Sequence, residues 1–113
     1  MVRLIPASGT TGRLFGHFNP IDEQSVIVHE MVHLYQKRTL DWSIAKMLAE
    51  QMKSWSSGGY CYTITSGKLF SEYNMEQQAE MVQDRFLLWL GQLHWKQCNQ
   101  SATLQQLEAV IPF

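Results

Sequence analysis

The stretch Val26-Ile27-Val28-His29-Glu30-Met31-Val32-His33 holds two histidines four residues apart, with a glutamate directly after the first. On a helix, residues at that spacing lie on one face, one turn above each other, so both imidazoles can reach the same metal ion. Glu30 projects beside that face, within reach of a water molecule at the metal. The H-E-x-x-H order thus supplies two nitrogen ligands and a general base for hydrolysis at zinc. The residue types suit the chemistry: zinc takes neutral imidazole, lowers the pKa of its water toward ~7, and leaves the proton for a carboxylate to carry. The plainer reading is a helix whose histidines are merely half-buried. The apolar run around them argues against it, because buried imidazoles and carboxylates are costly without a partner and a cation is one.

The helix that presents this motif opens at Asn19-Pro20, an N-cap residue followed by the residue favoured at the first helical position. Asp22 and Glu23 suit its positive end, and Lys37 and Arg38 its negative end, so the spacing predicts a helix over 20–38. Val26, Ile27, Val28, Met31, Val32, Leu34 and Tyr35 cover most of its circumference, which predicts burial nearly all round.

A second helix begins at the capping-box pattern Asn74-Met75-Glu76-Gln77. Met75, Ala79, Val82, Phe86, Leu90 and Leu93 fall on one face, with Glu76, Glu80, Gln83 and Leu87 on the neighbouring stripe. A hydrolytic zinc wants three protein ligands and a position for water. His29, His33 and Glu76 make three, and Glu80 can accept a hydrogen bond from the far nitrogen of a ligating histidine, fixing its tautomer. The competing reading is a solvent-exposed acidic edge. This helix is expected to continue through Trp89 toward Trp95, with Gly91 as a bend.

Between the two lie a helix capped by Thr39 or Asp41 and running to about Ser54, then a β-hairpin. In the helix, Ile44, Met47, Leu48, Met52 and Trp55 read as core. Ser56-Ser57-Gly58-Gly59 ends it. Tyr60–Thr65, the turn Ser66-Gly67 and Lys68–Phe70 read as the hairpin. Tyr60, Tyr62 and Tyr73 are candidates to present a hydroxyl to substrate or oxyanion, although packing roles are the commoner use of such residues. Val2–Ile5 and Arg13–Phe18 read as short strands about a flexible turn, and His17 is a further candidate for the site. An extended substrate can add to a strand edge at 13–18. Ser101 or Thr103 caps a closing helix, with Leu104, Leu107 and Val110 on one face, and His94 reads as peripheral.

At 113 residues, with 45% hydrophobic residues and a net charge of −1, the chain reads as one globular domain over 1–113 with no basic surface for nucleic acid or anionic lipid. No apolar run approaches the ~20 residues of a membrane span, and the first residues lack the pattern of a signal peptide. The expected location is the cytoplasm of the producing cell, with export by a signal-independent route, or membership of a longer parent protein, as alternatives. Cys61 and Cys98 fit no C-x-x-C spacing. Free thiols are expected, with a bridge only if the protein reaches an oxidising compartment.

His29-Glu30-x-x-His33 followed by Asn74-x-Glu76-x-x-Ala79-Glu80 resembles the gluzincin zinc metallopeptidases. There a glutamate on a second helix is the third ligand, and an acidic residue four positions on stands behind the ligands. The resemblance implies that His29, His33 and Glu76 hold Zn2+, that Glu30 is the base, and that Glu80, where many gluzincins carry Asp, is the outer partner. The wording of the two segments, over 26–36 and 73–84, is also similar to small bacterial metallopeptidase-like domains associated with contact-dependent secretion effectors. The expected fold is mainly α with some β (α+β): a zincin-like helical core of two motif-bearing helices, a small β-hairpin and a short N-terminal strand region. The expected function is a zinc hydrolase, endopeptidase-like, acting on a peptide or protein substrate, with a larger parent protein or a secretion partner as its other expected associations. The alternative is a non-catalytic binding or scaffold domain in which zinc is a structural staple. Nucleophilic catalysis by Cys61 has no supporting spacing.

Overall fold

The computed structural model describes residues 20–39 and 43–113. Among the described residues four α-helices follow in order: α1 (Pro20–Thr39), α2 (Ile44–Ser56), α3 (Met75–Trp89) and α4 (Leu104–Val110), with 3-10 turns at Phe70–Glu72 and Gln97–Asn99. The helical part of the expectation holds, and among the described residues there is no strand. The expected N-terminal strands, His17, the Asn19 cap and Asp41 lie outside the described residues.

Each helix begins where its capping chemistry places it. Pro20 starts α1, with Asp22 and Glu23 in its first turn and Lys37 and Arg38 in its last. The cap of α2 is Ser43, whose side chain accepts from the Lys46 amide, rather than Thr39, which ends α1. Asn74 and Gln77 form the expected capping box of α3: the Asn74 side-chain oxygen accepts from the Gln77 backbone amide at 2.7 Å, and the Gln77 side chain accepts from the Asn74 backbone amide at 3.0 Å. Thr103 and Gln106 do the same for α4.

The centre of the molecule is α3, buried continuously from Met75 to Arg85. Helix α1 packs against it most extensively, and α2 and α4 also contact it. The core joins Val32 of α1 to Tyr62, Phe70, Tyr73, Ala79, Met81, Val82, Ala102, Leu107 and Ile111. This reverses an expectation. Helix α1 is not buried all round: it turns Ser25, His29, Val32 and Gln36 inward and leaves Ile27, Met31 and Leu34 exposed. Helix α2 likewise buries Ser54 and leaves Ile44, Leu48, Met52 and Trp55 exposed, so these residues are not core.

Two further expectations are corrected. Helix α3 does not reach Trp95 but stops at the Leu90 cap. Gly91 has φ +76°, a conformation open to glycine, and the amides of Gly91 and Gln92 return to the carbonyls of Leu88 and Leu87 at 3.0 and 2.9 Å. The hairpin does not form either. The turn at Gly67 is present, with the Lys68 amide bonded to the Thr65 carbonyl, but side chains rather than a partner strand satisfy the backbone before it. Asn99 accepts from the Tyr62 amide, Gln77 donates to the Cys61 carbonyl, and the Tyr73 hydroxyl accepts from the Thr65 amide. The residues after the turn enter the 3-10 turn at Phe70–Glu72.

Candidate metal centre

His29 and His33 stand one turn apart on the inward face of α1, with ring centroids 5.0 Å apart. Glu76 stands in the first turn of α3, and the Asn74 cap sets its place there. The Nε2 atoms of both histidines lie 3.2 Å from the same oxygen, Oε1 of Glu76. Donor atoms about 2 Å from a tetrahedral zinc are about 3.3 Å apart, so the three groups fit one small divalent ion. They form a cluster able to hold a metal, with all ligand atoms within 4.8 Å of one another.

The opposite nitrogens are oriented by two glutamines that sequence reasoning passed over. Nδ1 of His29 donates to Oε1 of Gln83 at 3.0 Å. The Gln83 amide nitrogen donates to the Ser25 hydroxyl, which donates to the Asp22 carbonyl, so the carbonyl end of Gln83 is turned to the imidazole. Nδ1 of His33 donates to Oε1 of Gln36 at 2.9 Å, while the Gln36 amide nitrogen donates to the Met75 carbonyl and to Gln78. Gln36 and Gln83 are both fully buried. Each imidazole is therefore held with Nε2 facing Glu76, the arrangement in which a ligating histidine donates its far N–H to a fixed acceptor. Gln83 lies on the same α3 stripe as Glu76 and Glu80, and Gln36 lies three residues after His33. That spacing was the available signal, but attention to carboxylates hid it.

Glu80 is near its expected place but does not make the expected bond. It is fully buried, and its Oε1 lies 3.4 Å from Nδ1 of His29. Neither of its oxygens makes a hydrogen bond. The contact is an attraction between charges, and the directed bond from that nitrogen goes to Gln83. A buried carboxylate without a donor is stable only near positive charge, and a protonated or metal-bound His29 provides it. The exposed-edge reading of Glu76 and Glu80 is excluded, since both are buried.

The electrostatics agree. Burial pushes the His29 imidazole down, but the hydrogen bond to Glu76 and the charges of Glu76 and Glu80 outweigh it and raise the group to about 9. Burial likewise lowers His33, and Glu76 and Gln36 more than restore it. Burial raises Glu76, but the two imidazoles overcome this and bring it down to about 2. Metal-free, the cluster is an imidazolium–carboxylate group. A bound cation would take the place of protons there.

Glu30 is exposed beside His29. Of the three tyrosines, one is at the cluster. The Tyr60 ring is 6.0 Å from that of His29, and burial, then the charges of Glu76, Glu80 and Glu30, raise its hydroxyl above the ordinary value. Tyr62 is not at the site: its hydroxyl donates to Asp84 at 2.6 Å in the core, and burial followed by the Asp84 charge raises it strongly. Tyr73 is not there either, since its hydroxyl donates to the Thr63 carbonyl. Cys61 and Cys98 are bridged, with Cα atoms 5.8 Å apart, which overturns the expectation of free thiols. Short-range spacing carries no sign of the bridge because the pair is separated by 37 positions. His94 is peripheral and bonds the Ala102 carbonyl.

Fold and site together define a mainly helical domain with a His–His–Glu cluster, two of its residues buried and His33 half-buried, able to hold a metal ion. The chain is 31% identical over 68 residues to the type VI secretion system spike protein VgrG2b of Pseudomonas aeruginosa, a match that covers 59% of this chain and 7% of that protein. The chain therefore corresponds to a small part of a much longer relative. No protein-family model matches it, and no solved structure does. Among the described residues, no helix is long and apolar enough to cross a membrane.

Proposed function

We propose that this chain is a zinc-dependent peptidase domain in which His29, His33 and Glu76 hold the metal and Glu30 is the general base. The observation that carries the reading is the convergence of two Nε2 atoms on one Glu76 oxygen at 3.2 Å, with Glu30 exposed beside them. The donor set is the His–His–Glu combination used by hydrolytic zinc sites. It offers three protein ligands among the described residues, where a structural site takes four. Zinc bound there supplies Lewis acidity that polarises a carbonyl and acidifies water. The chain's own groups do the rest. Gln83 and Gln36 keep the imidazoles in the ligating orientation, Glu30 takes the proton of the attacking water and passes it to the leaving amine, and Tyr60, whose ring is 6.0 Å from that of His29, is the candidate donor to the carbonyl oxygen.

The substrate class is a peptide or protein, by the gluzincin resemblance of the two motif segments. The similarity to part of a type VI secretion system spike protein supports a domain that is carried by a longer parent and exported with it. The exposed apolar faces of α1 and α2 suit a domain with neighbours. The test is cleavage of an unfolded protein such as casein by purified, zinc-loaded chain. Activity lost on chelation, restored by zinc, and absent in Glu30→Gln with zinc still bound supports the reading. Zinc-loaded wild-type protein that cleaves nothing, and unfolds on chelation, refutes it in favour of the structural-zinc scaffold.

A further inference from the structure

Tyr60 is carried by a segment without regular secondary structure, preceded by Gly58 and Gly59, both at positive φ. Such a segment holds a side chain in place only if it is tied elsewhere. Asn74 and Gln77 at the start of α3 donate to the Gly59 and Cys61 carbonyls at 3.2 and 2.7 Å, and the segment's other ties lead to 96–99. Cys61 is bonded to Cys98, and the buried Asn99 donates to the Tyr60 carbonyl at 3.1 Å and accepts from the Tyr62 amide at 2.8 Å. From the same stretch, the Lys96 ammonium lies 5.1 Å from the centroid of the Tyr60 ring, on which a cation is attracted. The metal ligands make none of these contacts. They sit on α1 and α3, which pack on each other directly, and their orienting partners are Gln36 and Gln83.

We infer that the Cys61–Cys98 bridge is a positioning element of the site: it seats Tyr60, with Lys96 over its ring, beside the His29–His33–Glu76 cluster, so that substrate cleavage requires the bridge and metal binding does not. This rests on the peptidase reading and adds a regulator to it. Both cysteines are exposed, so thiol reagents reach them. In bridge formation, one thiolate attacks a low-molecular-weight or protein disulfide, giving a mixed disulfide and releasing one thiol. The second cysteine then displaces the other thiol, so two protein thiols and one disulfide become one protein disulfide and two thiols. A reducing compartment reverses the exchange. The domain is thus held at low activity where it is made and becomes competent in an oxidising compartment.

The experiment compares zinc-loaded wild-type chain, the same chain reduced with a phosphine, Cys61→Ser/Cys98→Ser, Tyr60→Phe, and the triple variant. Zinc content, helical circular dichroism and casein cleavage are read for each. Reduced and bridgeless proteins are expected to keep one zinc per chain and their helices, and to lose cleavage by roughly 10- to 100-fold, the cost of misplacing a group by about an ångström. Oxidised glutathione should restore the reduced wild type. Tyr60→Phe should impair the bridged protein and add little in the bridgeless one, because the bridge acts through Tyr60. Full cleavage without the bridge, or an undiminished Tyr60→Phe penalty there, overturns the inference alone. Loss of zinc or of helix on reduction also overturns it, since the bridge would then be a staple for the whole fold. No cleavage by bridged, zinc-loaded wild type removes the peptidase reading and this inference with it.

Discussion

Replacing Glu76 by Gln, with Glu30→Gln beside it, separates the ligand from the base in a way that needs no substrate. In the metal-free protein, His29 is raised from 6.5 to about 9. At about 1.4 kcal/mol per pH unit, that corresponds to roughly 3 kcal/mol of folded-state stabilisation. The group's folded value lies above its unfolded one, so the stabilisation is fully present below pH 6.5 and is lost as pH rises through about 9. Glu76 reports the same interaction from the other side. It is lowered from 4.5 to about 2, so its stabilisation is present above pH 4.5 and is lost as pH falls toward 2. The two are one contribution and are not summed. Glu80 shares in raising His29, which leaves about 2 kcal/mol for Glu76, in line with what hydrogen bonds to charged groups contribute.

Metal-free Glu76→Gln should therefore melt about 8 °C below wild type at pH 6, and the gap should close by pH 9.5. Metal-free Glu30→Gln alters an exposed side chain and should melt within about 2 °C of wild type at both pH values. With zinc added, Glu30→Gln should retain the metal and Glu76→Gln should lose it on dialysis. The assay is differential scanning calorimetry at the two pH values, with metal analysis after dialysis. A Glu76→Gln protein that melts with wild type at pH 6, or one whose deficit is unchanged at pH 9.5, refutes the imidazolium–carboxylate cluster.

Other expectations follow from the same contacts. Gln83→Leu removes the acceptor of the His29 Nδ1–H and should weaken zinc binding by roughly 10- to 100-fold in competition with a chelating dye. Glu76→Ala should lower zinc retention far more than Glu80→Ala; equal losses overturn the assignment of Glu76 as ligand. Tyr62→Phe removes the only side-chain donor to Asp84 among the described residues and should cost about 1–3 kcal/mol in urea unfolding while leaving zinc binding intact. Burial, partly offset by Tyr62 and the Trp95 amide, raises Asp84 from 3.8 to about 6. An acid raised on folding binds its proton more tightly in the native state, so its contribution to stability falls by about 3 kcal/mol between pH 3.8 and 6. Asp84→Asn should flatten that part of the stability–pH curve.

The parts of the molecule that were legible in the sequence are those governed by local rules. The four-residue spacing puts His29 and His33 on one face whatever surrounds the helix, and the Asn74–Gln77 capping box sets where α3 starts and hence where Glu76 stands. The closing helix after Thr103 follows from the same cap chemistry. What was not legible depends on contacts across the chain. The bridge joins residues 37 positions apart, and Asn99, Gln77 and Tyr73 take up the backbone groups that a hairpin would have paired. The apolar stripes of α1 and α2 were read as core because hydrophobic patterning shows which face can be buried, not whether this chain buries it.

The deepest misreading is also the most informative. By composition α1 is the helix to bury, yet α3 is the one enclosed, with Glu76, Gln77, Gln78, Glu80, Gln83, Asp84 and Arg85 all buried. Polar groups removed from water cost about 1–3 kcal/mol each when unpaired, so a helix of this kind persists only if its partners are in place. Gln77, Gln78, Gln83 and Asp84 each find a hydrogen-bond partner in loop backbone, a neighbouring side chain or an imidazole. Glu80 has neither oxygen hydrogen-bonded and lies beside a histidine that is positive when protonated or metal-bound. Local rules and burial conflict where function requires an arrangement that stability alone does not favour. Here the conflict is greatest within one turn of Glu76, where two imidazoles and a second carboxylate are gathered around the volume that a cation would fill.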